Sequence, residues 1–250
     1  MRIIGEGRVG GALCSRAGQR DVRLELVTRS AGWEAMSEGD DAIFVAVRTT
    51  DLPEVLERIP QRRHGDLILI QNGMLGPWLS QQGLGEVTRG VLYFAVSSRG
   101  GPITVGASSP FAGPRAAEIV EWLVGLDIAA HEVSIPAFAE IEFEKLIWNS
   151  VFGLMCGVTG KTVGTLCESD AEACRGLVEE FREIGRVSEG LELDSDQLWT
   201  SLVSYSNTIA GYTGRVTDWE WRNGWLVQRA ETLSVPTPLH DAWIRRYQSL

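Results

Sequence analysis

The sequence predicts an α/β protein in two parts, an N-terminal domain with a parallel sheet over residues 1–134 and an all-helical domain over residues 135–250. Three observations carry this. Short β-rich runs alternate with helix-prone stretches through the first half, which implies βαβ units and a parallel sheet. Strand signals stop after Ser134-Ile135-Pro136. The first apolar run meets a glycine-rich turn, Gly5-Glu6-Gly7-Arg8-Val9-Gly10, that leads into a helix.

In chain order, the strand candidates are residues 2–4, 22–28, 42–47, 67–71, 91–96, 103–105 and 128–131. Each is a short run rich in Val, Ile, Leu or Phe bounded by polar or turn residues. Helices are expected over residues 9–17, 51–58 and 115–124, the second opened by Thr50-Asp51 as a cap. In the second half the periodicity predicts helices over residues 137–155, 170–189, 195–206, 217–233 and 239–247, broken by glycine or proline. The helix at 217 is expected from Thr217-Asp218-Trp219-Glu220, which has the spacing of a capping box.

Composition narrows the function classes. With 33 acidic and 23 basic residues the formal charge is -10, which repels a phosphate backbone, so no nucleic-acid partner is expected. The four cysteines form no CxxC pair and the three histidines stand singly, so no metal site is expected. Cys14, Cys156, Cys167 and Cys174 suit a reducing compartment as small core residues. The N-terminal apolar run ends at Gly5, unlike a signal peptide, and the uncharged run from Leu146 to Gly160 is short for a bilayer span and reads as a buried core helix. The expectation is a cytoplasmic protein without a membrane partner. The tryptophans of the C-terminal helices offer surface for a homodimer.

The glycine turn carries the first functional signal. In a strand-turn-helix setting, Gly5 permits the tight turn, Gly7 lets the backbone approach a pyrophosphate, and Gly10 allows the helix to pack close to the strand. Helix N-terminal amides, with Glu6, Arg8 and Val9 in the same turn, would then face the phosphates. The N-terminal domain therefore reads as a Rossmann domain for a nicotinamide dinucleotide. Glu25 has about the spacing of the acid that binds the ribose of NAD, but it lies inside its strand. The strand tip is Thr28-Arg29-Ser30, and a cation flanked by hydroxyls suits the 2′-phosphate of NADP(H).

Three further blocks are Leu69-Ile70-Gln71-Asn72-Gly73, Glu144-Lys145-Leu146-Ile147-Trp148-Asn149, and Gly214-Arg215-Val216-Thr217-Asp218-Trp219-Glu220-Trp221-Arg222-Asn223-Gly224 with Val235-Pro236-Thr237-Pro238 after it. Together with the glycine turn, and in this order, they resemble the ketopantoate reductase family. The resemblance implies NADPH-dependent reduction of a 2-oxo acid, ketopantoate to pantoate first among them, in a cleft between a Rossmann and a helical domain.

The chemistry of the residues fits that expectation. Reducing a ketone requires hydride delivery and protonation of the developing alkoxide, and a lysine with its ordinary pKa of about 10.4 is a ready acid at pH 7. Lys145 takes that role, with Asn149 four residues on along the same helical face to orient substrate. Taken without the blocks, Lys145 and Glu142 read first as an ion pair on a solvated helix face. Asn72, at the carboxyl end of a strand, is implied to contact cofactor and substrate, although Asn-Gly alone predicts a turn. The resemblance also places Ser206 and Asp218 at the substrate. Asp218 stands where the family usually has glutamate. Gly153 and Ala210 replace an asparagine and an acid common in the family, and lost polar groups alter recognition more than hydride chemistry. Two other readings remain open: an NADP(H)-binding sensor or scaffold with little catalysis, and a reductase of a different ketone or imine.

Overall fold

The structure, a computed structural model, describes the backbone of residues 1–250 and every side chain except those of Ala35 and Val105. Its contacts divide the chain into one unit of Met1–Gln71 with Leu75–Phe138, and a second of Asn72–Met74 with Ala139–Leu250.

The first unit holds a seven-stranded sheet in the order β2-β1-β3-β4-β5-β8-β9, formed by β1 (Arg2–Ile4), β2 (Glu25–Val27), β3 (Ile43–Val45), β4 (Leu67–Leu69), β5 (Thr88–Gly90), β8 (Ser109–Ala112) and β9 (Ala130–Glu132). β6 (Phe94–Val96) and β7 (Ile103–Val105) make a separate antiparallel pair. From β2 to β5 all neighbours run parallel; β8 is antiparallel to β5, and β9 parallel to β8. The central strands β3 and β4 are apolar at all three positions and buried throughout, as a sheet covered on both faces requires. Helices α1 (Arg8–Gln19), α2 (Leu52–Arg58), α3 (Gly76–Gln81) and α4 (Ala116–Gly125) fall in this unit. One core gathers Ile3, Leu13, Phe44, Ile68, Phe111 and Ile119.

The sheet is therefore mixed at one edge, and β5 and β8 are strands that apolar patterning does not announce. β5 contains Thr88 and Arg89, and β8 contains Ser109 and Pro110, all buried. Phe111 lies over Gly90, where a Cβ would stand 2.1 Å from the ring. Helix α3 and, in the second unit, α6 were likewise too short for periodicity to reveal.

The second unit is helical, built on α5 (Ile135–Thr159), α6 (Val163–Ser169), α7 (Ala171–Glu189), α8 (Ser195–Thr208), α9 (Asn223–Leu233) and α10 (Pro238–Gln248). The uncharged stretch of α5 lies in the middle of its core, with Leu146, Ile147, Val151, Phe152, Leu154 and Met155 essentially inaccessible. Among the described residues no helix is long and apolar enough to cross a membrane. Gly190 ends α7 in a left-handed conformation, a regular glycine stop.

The helix expected over residues 217–233 is corrected. Asp218 has φ 48° and ψ 48° and makes no cap hydrogen bond, a short 3-10 turn follows at Trp219–Trp221, and α9 begins only at Asn223. In that capping box Thr217 is the cap and Asp218 the first helical residue, which needs a right-handed backbone. Here the left-handed backbone at Asp218 turns the chain instead, and the Asp218 carboxylate reaches forward to Arg222 at 3.4 Å.

Candidate functional site

The glycine turn is built as a close-packed cradle. Gly5 has φ +106°, a conformation glycine adopts readily, and a Cβ on Gly10 would stand 1.9 Å from the Gly5 carbonyl oxygen. Gly7 is the residue before α1, so the unpaired amides of the first helical turn open beside it. A cavity of about 530 Å³ begins there, lined by Gly5, Glu6 and Gly7 at one end and Thr28, Arg29 and Ser30 at another. Arg8 and Val9 open α1 itself. Amides at a helix start with a glycine approach are suited to phosphate.

Charge is concentrated in this cavity. Arg29, Arg48, Arg58 and Arg99 line it against Glu6, Asp51 and Glu54, giving a basic excess in a protein that is acidic overall. Arg29 is 79% exposed, with Asp51 at 3.9 Å. Arg58 lies 3.8 Å over the Trp33 ring and donates to the Arg29 carbonyl at 3.0 Å, so it braces the strand tip. Arg99 pairs with Glu6 at 2.5 Å. Glu25 is held at the other end of β2 by Arg2 at 2.9 Å, away from the tip.

In the second unit, Lys145 sits on α5 at 7% exposure. Its ammonium lies 3.9 Å from the centre of the Tyr205 ring and 4.8 Å from that of Trp148, a cation-π setting. Burial, the nearby Arg222 charge and, in the opposite direction, Glu144 together bring its pKa down to about 7. Two expectations change. Burial holds the lysine below its ordinary pKa, and since Glu142 is buried too, this stretch of α5 is no solvated face.

Asn149, one turn beyond Lys145, donates its amide to Asn72 Oδ1 at 3.3 Å. Asn72 is brought there with Gly73, whose φ is +108° and where a Cβ would stand 2.4 Å from the Trp221 carbonyl oxygen. Lys145, Asn149 and Asn72 thus belong to one constellation, with Asp218 and Arg222 beside it through the Trp221 turn.

Ser206 is placed differently from a substrate-facing hydroxyl. It is fully buried, accepts from the Trp148 indole at 2.9 Å and donates to the Leu202 carbonyl at 2.8 Å. Gly153 and Ala210 are likewise packed: a Cβ on Gly153 would stand 2.9 Å from the Arg215 carbonyl, and the Ala210 methyl fills the space beside Gly164.

Arg222 was not anticipated. It is 9% exposed, and burial lowers its pKa while Asp218 opposes the shift. One signal was available: Arg222, Leu226 and Ala230 fall four apart, a cation just ahead of the buried stripe of α9.

Residues 137–248 match the family described as ketopantoate reductase PanE/ApbA C terminal. No curated protein matches the chain in sequence. In fold it is similar to a PanE/ApbA family ketopantoate reductase from Ralstonia eutropha JMP134, at 16% identity and a TM-score of 0.75, over 100% of this chain and 99% of that one. It is also similar to a dimeric ketopantoate reductase from Staphylococcus aureus, at 20% identity and a TM-score of 0.71 over 99% and 98% of the two chains. D-mandelate dehydrogenase, solved with NADH, shares the fold at 15% identity and a TM-score of 0.75, over 99% and 97%. The helical half, residues 137–248, is thus similar to the C-terminal part of ketopantoate reductases, and the whole chain shares the fold of those solved structures.

Proposed function

We propose that the protein reduces the carbonyl of a 2-oxo acid to a 2-hydroxy acid with NADPH, ketopantoate being the first substrate to try. The observation that carries this is Lys145, a buried ammonium with a pKa of about 7 beside the Asn149–Asn72 amide pair. A group that titrates near the working pH is best suited to exchange a proton with a developing alkoxide.

The cofactor fits the residues present. The Gly5, Gly7 and Gly10 backbone leaves a cradle that a Cβ at Gly10 would close, and α1 offers its amides there to a pyrophosphate. Arg29 at the strand tip favours a 2′-phosphate, and Glu25, tied to Arg2, is not at hand for a bare ribose hydroxyl. When bound, NADPH supplies the hydride. Lys145 gives its proton to the carbonyl oxygen as that oxygen gains charge, becomes the neutral amine and is reprotonated from water. The Asn149 and Asn72 amides orient the substrate, and Asp218 acts by holding Arg222. Free thiols at all four cysteines accord with a cytoplasmic setting.

The test is NADPH oxidation across a panel of 2-oxo acids led by ketopantoate, with Lys145→Ala alongside. Turnover of at least one acid is expected, reduced about 10²- to 10⁴-fold in the variant with NADPH binding retained. A panel without turnover, or a variant as fast as the parent, would refute the reading.

A further inference from the structure

The helical unit contains a buried cation that the mechanism leaves without a task. Arg222 Nη1 donates to Thr217 Oγ1 at 2.9 Å, and Nη2 lies 3.4 Å from Asp218 Oδ2, longer than a good charge-assisted hydrogen bond. Its Nε is buried with no hydrogen-bond partner. A guanidinium has five donors in a planar fork, and leaving buried donors unmet is costly. Thr217 and Asp218 precede it in one turn, so they hold the fork within its own segment.

The position of this cation matters as much as its unmet donor. Both it and Lys145 are buried, and its charge adds to the burial that disfavours the Lys145 ammonium. The anions beside them include Asp218, on Arg222, and Glu144, which accepts from the Ser201 hydroxyl and whose own pKa is raised by burial. An added carboxylate would relieve the repulsion and satisfy the fork together. Meanwhile Ser206 is committed to Trp148 and Leu202, and Gly153 and Ala210, which lack the polar groups common in the family, are packed against backbone or methyl groups.

We propose that Arg222 is the carboxylate anchor of the substrate site, binding the acid group of a 2-oxo acid whose adjacent carbonyl is served by Lys145. The inference rests on the reductase reading for the identity of the ligand, though not for the existence of an anion site. In a 2-oxo acid the two groups sit on neighbouring carbons, so their partners must share one site: Arg222 follows Trp221, whose carbonyl lies against Gly73, and the adjoining Asn72 accepts from Asn149, one turn from Lys145. Specificity then lies in the acid group: a neutral ketone leaves the arginine fork unmet and is rejected.

The experiment uses the full chain with NADP(H) present and two readouts. Oxamate, a non-reducible mimic of a 2-oxo acid, is titrated onto the parent, Arg222→Gln and Arg222→Lys by calorimetry. In parallel, KM and kcat are measured for the best acid of the panel and for its methyl ester. The Gln variant is expected to lose about 10- to 100-fold in oxamate affinity and to raise KM for the acid by a similar factor, with the ester little changed. The Lys variant recovers part of the loss, since it restores charge without the fork. Parent protein that does not bind oxamate, a Gln variant that binds it equally, or equal losses on acid and ester would each overturn the proposal. If Arg222→Gln does not fold, the Lys variant decides: weakened oxamate binding supports the anchor, unchanged binding removes it. Oxamate binding through Arg222 with no turnover of any acid would sink the reductase reading and leave the anion site standing.

Discussion

The indole N–H of Trp148 ends on the hydroxyl of Ser206, 2.9 Å away, and that hydroxyl passes its own proton to the Leu202 carbonyl. Trp148 in turn stacks edge-on against Tyr205 at 4.9 Å between centroids, and both rings face the Lys145 ammonium. Ser206 thus holds the tryptophan that faces the candidate acid.

Replacing Ser206 by Ala should therefore act on stability rather than on substrate affinity. A buried indole donor left unmet costs about 1–3 kcal/mol. Urea denaturation should show that loss, while KM for the substrate stays near the parent value. A raised KM with unchanged stability would place the hydroxyl against the substrate after all.

The lowered pKa of Lys145 has a sign that can be read in both directions of the reaction. Reduction needs the ammonium, so its rate should be level below about 7 and fall as pH rises through that value. Oxidation of the hydroxy acid needs the neutral amine, so its rate should rise through the same region. Arg222→Gln removes a repelling charge and should move both limbs to higher pH. Profiles of kcat/KM against pH in the two directions, which report the free enzyme, check this.

His240 gives a separate pH effect, on folding. It is fully buried, its Nε2 is 2.9 Å from Asn223 Oδ1, and burial lowers its pKa to about 4. The unfolded chain takes up its proton near pH 6.5, so the stability this neutral histidine holds is complete above that pH and is lost as pH falls toward 4. Over that window the loss is at most about 3 kcal/mol. Urea midpoints between pH 7.5 and 4 should fall in the parent and flatten in His240→Gln.

At the cofactor site, Gly10→Ala has no space for its methyl, because the obstacle is the Gly5 carbonyl rather than a side chain that can rotate away. The variant should lose NADPH binding, read by quenching of tryptophan fluorescence, along with more than about 1 kcal/mol of stability. Arg29→Ala should keep the fold and lower the preference for NADPH over NADH by about 10- to 100-fold, the worth of a charge-assisted contact. An unchanged ratio would take Arg29 out of cofactor selection.

How far the sequence reveals this structure depends on whether the cause of each feature is local. The strands at Ile43 and Leu67 are legible because a strand buried on both faces must be apolar throughout. Those at Thr88 and Ser109 are not, since buried polar residues satisfied by tertiary contacts look like loop: Thr88 Oγ1 accepts from the Arg115 amide, and Ser109 Oγ from that of Tyr93. The residue types around Lys145 were legible as motifs, but its burial and the charge of Arg222 come from other helices and turns. Asp218 shows the opposite failure, a correct local cap pattern overruled by a left-handed backbone.

Asn72, Gly73 and Met74 are contiguous in the chain with the strand of the first unit, yet their contacts count them in the second. The two halves of the gene are accordingly not separable at a single cut. A C-terminal fragment beginning near residue 139 would lack the oxygen that receives the Asn149 amide and the glycine lying against Trp221. Transplanting this helical half onto another cofactor-binding half requires carrying that tripeptide across with it.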